Sequence, residues 1–327
     1  METAILIDGN SLLYSHFYAT TSPAYRKSKD ASSLLTDPFG RPINGVFGMT
    51  RFLNNLFASY QPEYVLVAWD VKRSTLKRSE VFEDYKATRK KTDTNIVEQI
   101  EIMKDLLTKW NVNQLTVEGH EADDIIGTYA RKLETETDAN IKIISRDKDL
   151  IQLITERVSV WQNLPNLEKT YKQAGLTIGE QQVPRGYFEH NSETWKHFYP
   201  GLTDPKQIID LKALEGDRSD NIPGVRGVGE ATALNLVSEF TSYEKLMEFA
   251  QEKSKKKFDD YCKEKELFNR SPYNALHKYR KDGEMSYRLA TIQTELEKLK
   301  NKNASTISFD PNNEKKLEVF EELKFNL

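Results

Sequence analysis

Nine acidic residues fall where the chain is predicted to pass from one element to the next, and together they could bind metal ions. Glu121, Asp123 and Asp124 stand within four residues, directly before apolar residues at helical spacing. One such group is commonly a helix cap, because the free N–H groups at a helix start favour negative charge. Six more acidic residues at comparable places make that interpretation insufficient: Asp8, Asp70, Asp147, Asp149, Asp217 and Asp220.

The chemistry of such a set follows from mutual repulsion. If several carboxylates converged without a partner, repulsion would raise their pKa values and destabilise the fold, whereas bound cations would resolve the conflict. The five histidines show no ligand spacing and Cys262 is the only cysteine, so the ligands would be oxygens, which select hard ions such as Mg²⁺ or Mn²⁺. A set this large suits two ions about 3.5–4 Å apart, an arrangement that promotes phosphodiester hydrolysis.

The elements that must position these acids follow an α/β rhythm. Four short apolar runs predict strands, at residues 3–7, 64–69, near 115–117 and at 141–145. Asp8, Asp70 and Asp147 follow the ends of three of them, and helices lie between. In a parallel sheet these strand ends share one edge, where ligand sites form. We therefore expect a doubly wound α/β domain with a central, mostly parallel sheet flanked by helices.

Composition limits the class of protein. The chain has 327 residues, a net charge of −3 and no apolar run of the ~18 residues that a membrane span needs. Its first residues lack the basic flank and cleavage site of a signal peptide. We expect a cytoplasmic monomer without a membrane partner. We divide it into an α/β domain (residues 1–205) and a helical region (residues 206–327).

A basic segment interrupts the rhythm at about residues 71–95. From Lys72 to Lys91 there are eight basic residues against three acidic ones, and few apolar residues. Lys86 and Arg89 are three apart and would share one face of a helix. Such charges usually form a solvated helix face, but they could also bind phosphate groups. The other candidates for nucleic-acid contact in this segment are Lys72, Arg73, Lys90 and Lys91.

A glycine-rich turn opens a predicted helix at about residues 231–240. Gly224, Gly227 and Gly229 would let the backbone approach phosphate, and the helix start would offer free N–H groups. The alternative is a turn with only a packing role. Residues 164–205 show a weak pattern that we interpret as connecting structure or an insertion. The tail after residue 240 is predicted to be helical and charged, with Lys253 to Lys257 either a phosphate contact or a solvated run.

These motifs, in this order, resemble the 5′ nuclease family, which includes the N-terminal domain of bacterial DNA polymerase I and the phage 5′-exonucleases and flap endonucleases. The resemblance covers residues 3–240, apart from residues 164–205. The stretches that carry it are Ile7-Asp8-Gly9-Asn10, Ala68-Trp69-Asp70, Tyr85-Lys86-Ala87-Thr88-Arg89, Glu121-Ala122-Asp123-Asp124, Asp147-Lys148-Asp149, and residues 216–224 from Gly216-Asp217 to Pro223-Gly224.

The resemblance implies a PIN-like fold and a role for each candidate residue. Asp8, Asp70, Glu121, Asp123 and Asp124 would hold a first Mg²⁺ ion, and Asp147, Asp149, Asp217 and Asp220 a second. Residues 71–95 would form a helical arch in which Lys86 and Arg89 grip the scissile phosphate and Tyr85 stacks on a base. Residues 216–240 would form a helix–three-turn–helix, where the backbone carbonyls of Val225 and Val228 would bind K⁺.

The implied function is a structure-specific, metal-dependent 5′-3′ exonuclease and flap endonuclease. It would cleave DNA at 5′ ends, flaps and nicks, or RNA primer–DNA hybrids, in replication and repair in a bacterial or phage-infected cell. We expect a free-standing member, alongside replication proteins that the sequence does not identify. The alternatives are a PIN-type ribonuclease and a non-catalytic protein that binds branched DNA. A phosphatase with Asp8 as nucleophile would need an aspartate where Asn10 stands.

Overall fold

The computed structural model of the protein describes residues 2–89 and 92–325. Its strands are β1 (Thr3–Asp8), β2 (Tyr64–Ala68), β3 (Gln114–Leu115), β4 (Asn140–Ile144), β5 (Val158–Asn163) and β6 (Tyr187–His190). They form one sheet in the order β3-β2-β1-β4-β5-β6. Every neighbouring pair is parallel except β5 and β6, which are antiparallel. The predicted mostly parallel sheet is confirmed.

Helices cover both faces of this sheet and form a separate group towards the C-terminus. The first seven are α1 (Gly9–Thr20), α2 (Pro23–Ser28), α3 (Asn44–Tyr60), α4 (Lys77–Val81), α5 (Thr94–Lys109), α6 (Ala122–Glu136) and α7 (Leu167–Gln173). The others are α8 (Gln207–Glu215), α9 (Glu230–Phe240), α10 (Tyr243–Glu252), α11 (Lys255–Glu264), α12 (Tyr273–Lys278), α13 (Arg280–Ala290) and α14 (Asn313–Glu322). Across the described ranges, no helix is both long enough and apolar enough to cross a bilayer.

Short 3-10 helices complete the architecture. They are Ala31–Ser33, Arg73–Thr75, Lys148–Leu153, Thr194–His197, Glu297–Leu299 and Ala304–Ile307. The 3-10 helix at Lys148–Leu153 closely follows the end of β4 and fixes the path of the chain beside the acidic residues.

The central strand β1 shows why the strands are continuous apolar runs. Ala4 and Leu6 pack on one face with α6, while Ile5 and Ile7 pack on the other face with α3. All four side chains are fully buried. A parallel sheet covered on both faces requires apolar residues at every strand position rather than at alternate ones.

The structure adds two strands that the sequence did not predict. Strand β5 is buried along almost its whole length, and β6 pairs with it from within residues 164–205, the segment that we interpreted as connecting structure or an insertion. Lys142 on β4 and Glu189 on β6 form an ion pair across β5, 2.7 Å apart. Four residues are too few for a periodic pattern, and β6 therefore depends on these partners.

The C-terminal helices share the core of the α/β part. Leu214 on α8, Leu236 on α9 and Leu246 on α10 belong to the same buried cluster as the apolar face of α6. The chain then returns to the other side of the sheet, where the Asn312 amide donates to the carbonyl of Trp110 at 2.9 Å. Helix α14 therefore packs against α5 and away from the helices that precede it.

Candidate functional site

A cleft of about 880 Å³ opens at the carboxyl ends of the strands. It receives side chains from the ends of β1, β2 and β4, from the first turn of α6, and from the turn between α8 and α9. Six of the nine candidate acids line it: Asp8, Asp70, Asp123, Asp147, Asp149 and Asp217. The structure therefore brings the strand ends and the helix starts to one edge of the sheet, as the parallel topology requires.

Local hydrogen bonds hold the strand-end aspartates in place. Asp8 caps α1, where it accepts the Ser11 amide at 2.9 Å, and it also accepts the Ser145 hydroxyl at 2.8 Å. Asp70 accepts the amide of Ala122, the first residue of α6, at 2.9 Å. Capping therefore remains a real role of Asp8, and it orients the carboxylate towards the cleft.

Burial and repulsion act together on these carboxylates. Burial and the charge of Asp70 raise the pKa of Asp8 to about 7. Burial and the charge of Asp147 raise the pKa of Asp149 to about 7, and the same causes hold that of Asp123 well above its usual value. The cleft therefore has a surplus of negative charge that favours bound cations.

Lys212 on α8 is a site residue that the sequence analysis missed. Its ammonium group contacts Asp149 and lies 2.5 Å from Asp217 Oδ2. Burial raises the pKa of Asp217, but the Lys212 ammonium outweighs this effect and holds it below its usual value. A lysine among Leu211, Ala213 and Leu214 was the available signal, because a charge in a buried helix needs a partner.

Glu121 and Asp220 are buried beside the cleft and are joined by the basic segment. Lys86 reaches both carboxylates, and Arg89 contacts Asp220. The Tyr85 hydroxyl donates to Glu121 at 2.9 Å and to Asp220 at 3.2 Å. Three residues of the basic segment therefore contact carboxylates of the acidic set, namely Tyr85, Lys86 and Arg89.

The conformation of this segment differs from the helical arch that we expected. Its described residues before α5 contain only the short helix α4 and one 3-10 turn, and Lys86 has a positive φ of 56° in a run of turns. Lys86 and Arg89 consequently do not share a helix face. They reach the carboxylates because the Lys86 amide donates to the Asp220 carbonyl at 2.8 Å, which docks the turn on the site.

Tyr85 also lies in a different environment from the base-stacking position that we expected. Its side chain is only 2% exposed, so its ring face is unavailable to a base. Burial and the charge of Glu121 raise its pKa, which keeps the hydroxyl a donor. In this structure Tyr85 orients carboxylates.

Asp124 points away from the cleft, which corrects the expectation that it would face the ions. Both of its oxygens accept from Arg78 at 2.7 Å, and Oδ1 also accepts the Gln293 amide at 2.9 Å. Burial raises the pKa of Asp124, but the hydrogen bonds from His120 and Arg78 hold it well below its usual range. Arg78 was not predicted as a site residue, since its acidic partners are distant in sequence.

Of the remaining basic candidates, the two that the structure describes lie on the outside of the segment. Lys72 and Arg73 are exposed, and the Arg73 guanidinium donates to the carbonyls of Glu83 and Tyr85. Arg73 therefore fastens the turn that carries Lys86. Lys90 and Lys91 lie outside the described residues.

The three glycines have different environments. Gly224 is buried, and its amide donates to the Ser286 hydroxyl at 2.9 Å, so it has a packing role and no free N–H for phosphate. Gly227 and Gly229 are exposed, and Gly229 precedes the first turn of α9. Val225 and Val228 are buried, and the Val225 carbonyl accepts the Val228 amide at 3.0 Å.

The donor set decides which ions this cleft could hold. The converging acidic groups are all carboxylates, and an oxygen-only set fits hard divalent cations. Within residues 2–89 and 92–325, no three acidic, histidine or cysteine side chains are already grouped as a metal site. The ammonium groups of Lys86 and Lys212 lie between the carboxylates instead and balance part of their charge.

Comparison with known proteins places this geometry in a family. Residues 3–185 match the model of the 5′-3′ exonuclease N-terminal resolvase-like domain, and residues 203–314 match that of the 5′-3′ exonuclease C-terminal SAM fold. DNA polymerase I of Bacillus subtilis is 37% identical over 291 residues, which cover 89% of this chain. The chain spans only 28% of the length of that polymerase.

A shorter relative and a solved structure agree with the family models. The 5′-3′ exonuclease of Bacillus subtilis is 32% identical over 244 residues, which cover 75% of this chain and 72% of that protein. The T5 5′-exonuclease with bound zinc has a TM-score of 0.61 at 20% identity, over 90% of each chain, and this likeness shows the fold. The protein belongs to the 5′-3′ exonuclease family.

Proposed function

We propose that the protein is a metal-dependent 5′ nuclease that hydrolyses DNA phosphodiesters at 5′ ends, flaps and nicks and leaves a 5′-phosphate. The observation that carries this proposal is the cleft itself. Six carboxylates converge there beside Lys86 and Arg89, which is the charge pattern of a site for metal ions and a phosphodiester. The 5′-3′ exonuclease relatives support the same reaction class.

Two Mg²⁺ ions, for which Mn²⁺ can substitute, fit the donor set. Asp8, Asp70 and Asp123, with Glu121, would hold one ion; Asp147, Asp149 and Asp217, with Asp220, would hold the other. The T5 5′-exonuclease binds zinc ions, but the oxygen-only donors here favour harder ions. Bound divalent ions would supply Lewis-acid activation of water and would offset charge on the phosphodiester.

The chain's own residues bind and orient the phosphodiester. Lys86 and Arg89 stand at the cleft and would move from Glu121 and Asp220 to the scissile phosphate. Positive charge at that point stabilises the charge that builds up during hydrolysis. Tyr85 stays behind them and keeps Glu121 oriented.

Duplex binding would use the turn before α9. The exposed backbone at Gly227 and Gly229 and the free N–H groups at the start of α9 can contact phosphate without reading sequence. The carbonyls of Val225 and Val228 would hold K⁺ there. Lys72, Lys90 and Lys91 would add phosphate contacts.

The physiological role follows from the substrate structure. A monomeric cytoplasmic enzyme of this kind would remove displaced flaps or RNA primers during replication and repair. A PIN-type ribonuclease would share the acidic edge, but the glycine-rich turn before α9 favours a duplex substrate. A non-catalytic binder of branched DNA would not need the convergent carboxylates.

A cleavage assay tests the proposal. Labelled 5′-flap, nicked and blunt DNA duplexes, with an RNA hairpin, are incubated with the protein with and without Mg²⁺. We expect Mg²⁺-dependent cleavage of the flap, and its loss in Asp123→Asn and Asp147→Asn with DNA binding retained. Asp138→Asn, at an exposed position between α6 and β4 and outside the cleft, is the matched control. Preferential cleavage of the RNA hairpin, or full activity of both site variants, would contradict the proposal.

A further inference from the structure

Arg78 uses every N–H of its guanidinium in a buried network beneath the cleft. Its Nε donates to the Leu289 carbonyl at 3.1 Å, and one terminal nitrogen donates to the Thr291 carbonyl at 2.8 Å. The remaining donors reach Asp124 twice at 2.7 Å and Glu121 once at 3.0 Å. Five N–H groups thus have five contacts, and the side chain is almost fully buried.

The C-terminal side of this network is the end of α13 and the residues that follow it. Gln152 holds that stretch from both sides, because its amide donates to the Ala290 carbonyl at 3.1 Å and accepts the Ile292 amide at 3.0 Å. The next amide, that of Gln293, donates to Asp124 at 2.9 Å. Residues 289–293 are therefore fastened to the first turn of α6.

The same helix reaches the turn before α9. Ser286, one turn from the end of α13, is fully buried, accepts the Gly224 amide at 2.9 Å and donates to the Asp282 carbonyl at 2.6 Å. Helix α13 also packs along α8, which carries Lys212. Helix α13 thus contacts both the turn proposed to bind duplex DNA and the Arg78 side chain that holds Glu121.

We propose that α13 is a strut that fixes the proposed duplex-binding turn relative to the acidic cleft, and that Arg78 is the positioning residue at its end. This inference rests on the proposed function. Glu121 carries contacts from Arg78, Tyr85 and Lys86, so losing Arg78 would let its carboxylate shift. Displacement of a reacting group by about 1 Å can lower a rate about 100-fold.

A lysine cannot replace Arg78, which makes the conservative variant informative. Lysine offers three donors from one nitrogen and cannot hold two carboxylates and two carbonyls at once. Gln152→Leu provides a second variant, since it releases residues 290–292 without touching a carboxylate. Arg288→Lys, an exposed position on α13, is the matched control.

The test uses the 327-residue protein and four measurements. They are the melting temperature, Mn²⁺ affinity by electron paramagnetic resonance without DNA, flap affinity by fluorescence anisotropy in EDTA, and kcat and KM for a 5′ flap in Mg²⁺. For Arg78→Lys we expect kcat and Mn²⁺ affinity to fall about 10- to 100-fold, as for residues that orient metal ligands. Flap affinity stays within about twofold because Arg78 does not touch the turn. Gln152→Leu should lower kcat and Mn²⁺ affinity by a smaller factor. Arg288→Lys should change neither of them.

Each outcome either supports or overturns the positioning role of Arg78. Unchanged kcat and Mn²⁺ affinity in Arg78→Lys, or a rise in KM alone, would overturn the positioning role. If Arg78→Lys does not fold, the result for Gln152→Leu decides in the same way. A wild-type protein that binds Mn²⁺ but does not cleave the flap would overturn the proposed function. In that case the Mn²⁺ affinities of the variants would still test the positioning role of Arg78.

Discussion

Individual carboxylates in and beside the cleft differ in the partner that balances their charge. Asp124 is neutralised by Arg78 and Asp217 by Lys212, and both have pKa values below the usual range. Burial and a neighbouring carboxylate raise the pKa values of Asp8 and Asp149 to about 7, and Lys212 offsets only part of this effect at Asp149. The residues whose charge is least balanced are therefore the ones that gain most from a divalent ion.

This difference predicts how Mg²⁺ stabilises the protein at different pH values. Asp8 and Asp149 titrate near pH 7 in the folded state and near 3.8 when unfolded, so the folded state binds more protons between these values. Their contribution to stability falls as pH rises from about 4 to 7. Mg²⁺ requires the ionised carboxylates, so its stabilising effect should grow with pH.

The measurement is the melting temperature at pH 5 and pH 8, with and without Mg²⁺. We expect the increase caused by Mg²⁺ to be clearly larger at pH 8. The double variant Asp8→Asn/Asp149→Asn should lose most of this dependence. An equal increase at both pH values in the wild type would contradict the assignment of these groups.

Tyr85 gives a second test at the level of single residues. Its single hydroxyl proton is shared between two buried carboxylates, and a hydrogen bond to a charged group contributes about 1.5–3 kcal/mol. We therefore expect Tyr85→Phe to lower the flap-cleavage kcat and to destabilise the fold by about 1–3 kcal/mol. A residue that stacked on a base would tolerate this change, because phenylalanine keeps the ring. Wild-type activity and stability in Tyr85→Phe would restore the stacking interpretation.

Among the elements, the turns determine how the site is assembled. The turn that carries Lys86 docks on the turn after Asp217, and the Asn221 side-chain amide strengthens the contact by donating to the Asp84 carbonyl at 2.7 Å. Gly216 and Gly224 then pack backbone against backbone, since a Cβ on Gly224 would lie 2.2 Å from the Gly216 nitrogen. Close packing of turns, rather than helix geometry, places the basic segment on the acids.

Two of the glycines with positive φ in this region predict a graded effect on stability. Gly224 (φ 62°) has no space for a Cβ, whereas Gly227 (φ 98°) is open. Gly227→Ala should cost about 1–2 kcal/mol from backbone strain alone. Gly224→Ala should cost more, because the steric overlap adds to the strain. Urea denaturation monitored by circular dichroism measures both, and equal losses would show that the Gly216 contact is not tight.

At the scale of the whole molecule, one buried cluster joins the sheet to the helical region. It runs from Leu6 on β1 through α6 to Leu236 and Phe258. A shared core couples the folding of the two parts, because neither can lose its apolar contacts without exposing those of the other. The sequence suggested two domains at residue 205, and that boundary stays a prediction.

The shared core predicts a single unfolding transition. Differential scanning calorimetry should show one peak whose calorimetric and van't Hoff enthalpies agree. Leu236→Ala, a fully buried change on α9, should lower the melting temperature of that one peak by destabilising the fold by about 2–5 kcal/mol. Two separate peaks, with only one shifted by the variant, would show that the helical region folds independently.

The sequence by itself determined the parallel α/β rhythm, the acidic edge and the family resemblance, because each depends on local signals. A strand shows as an apolar run, and in a parallel sheet all strand ends meet at one edge. For this reason the amino-acid pattern alone predicts that Asp8, Asp70, Asp123, Asp147 and Asp149 lie together, and all five line the cleft.

Only the tertiary structure decided which carboxylates face the cleft and which are held by basic residues. Arg78 meets Asp124 across 46 residues and the Thr291 carbonyl across 213. Lys212 joins Asp149 across 63 residues, and Tyr85 reaches Asp220 across 135. Such pairs leave no periodic signal, since they form between side chains that the fold brings together from distant elements. The sequence thus identified the acids, and the long-range contacts assigned their orientation.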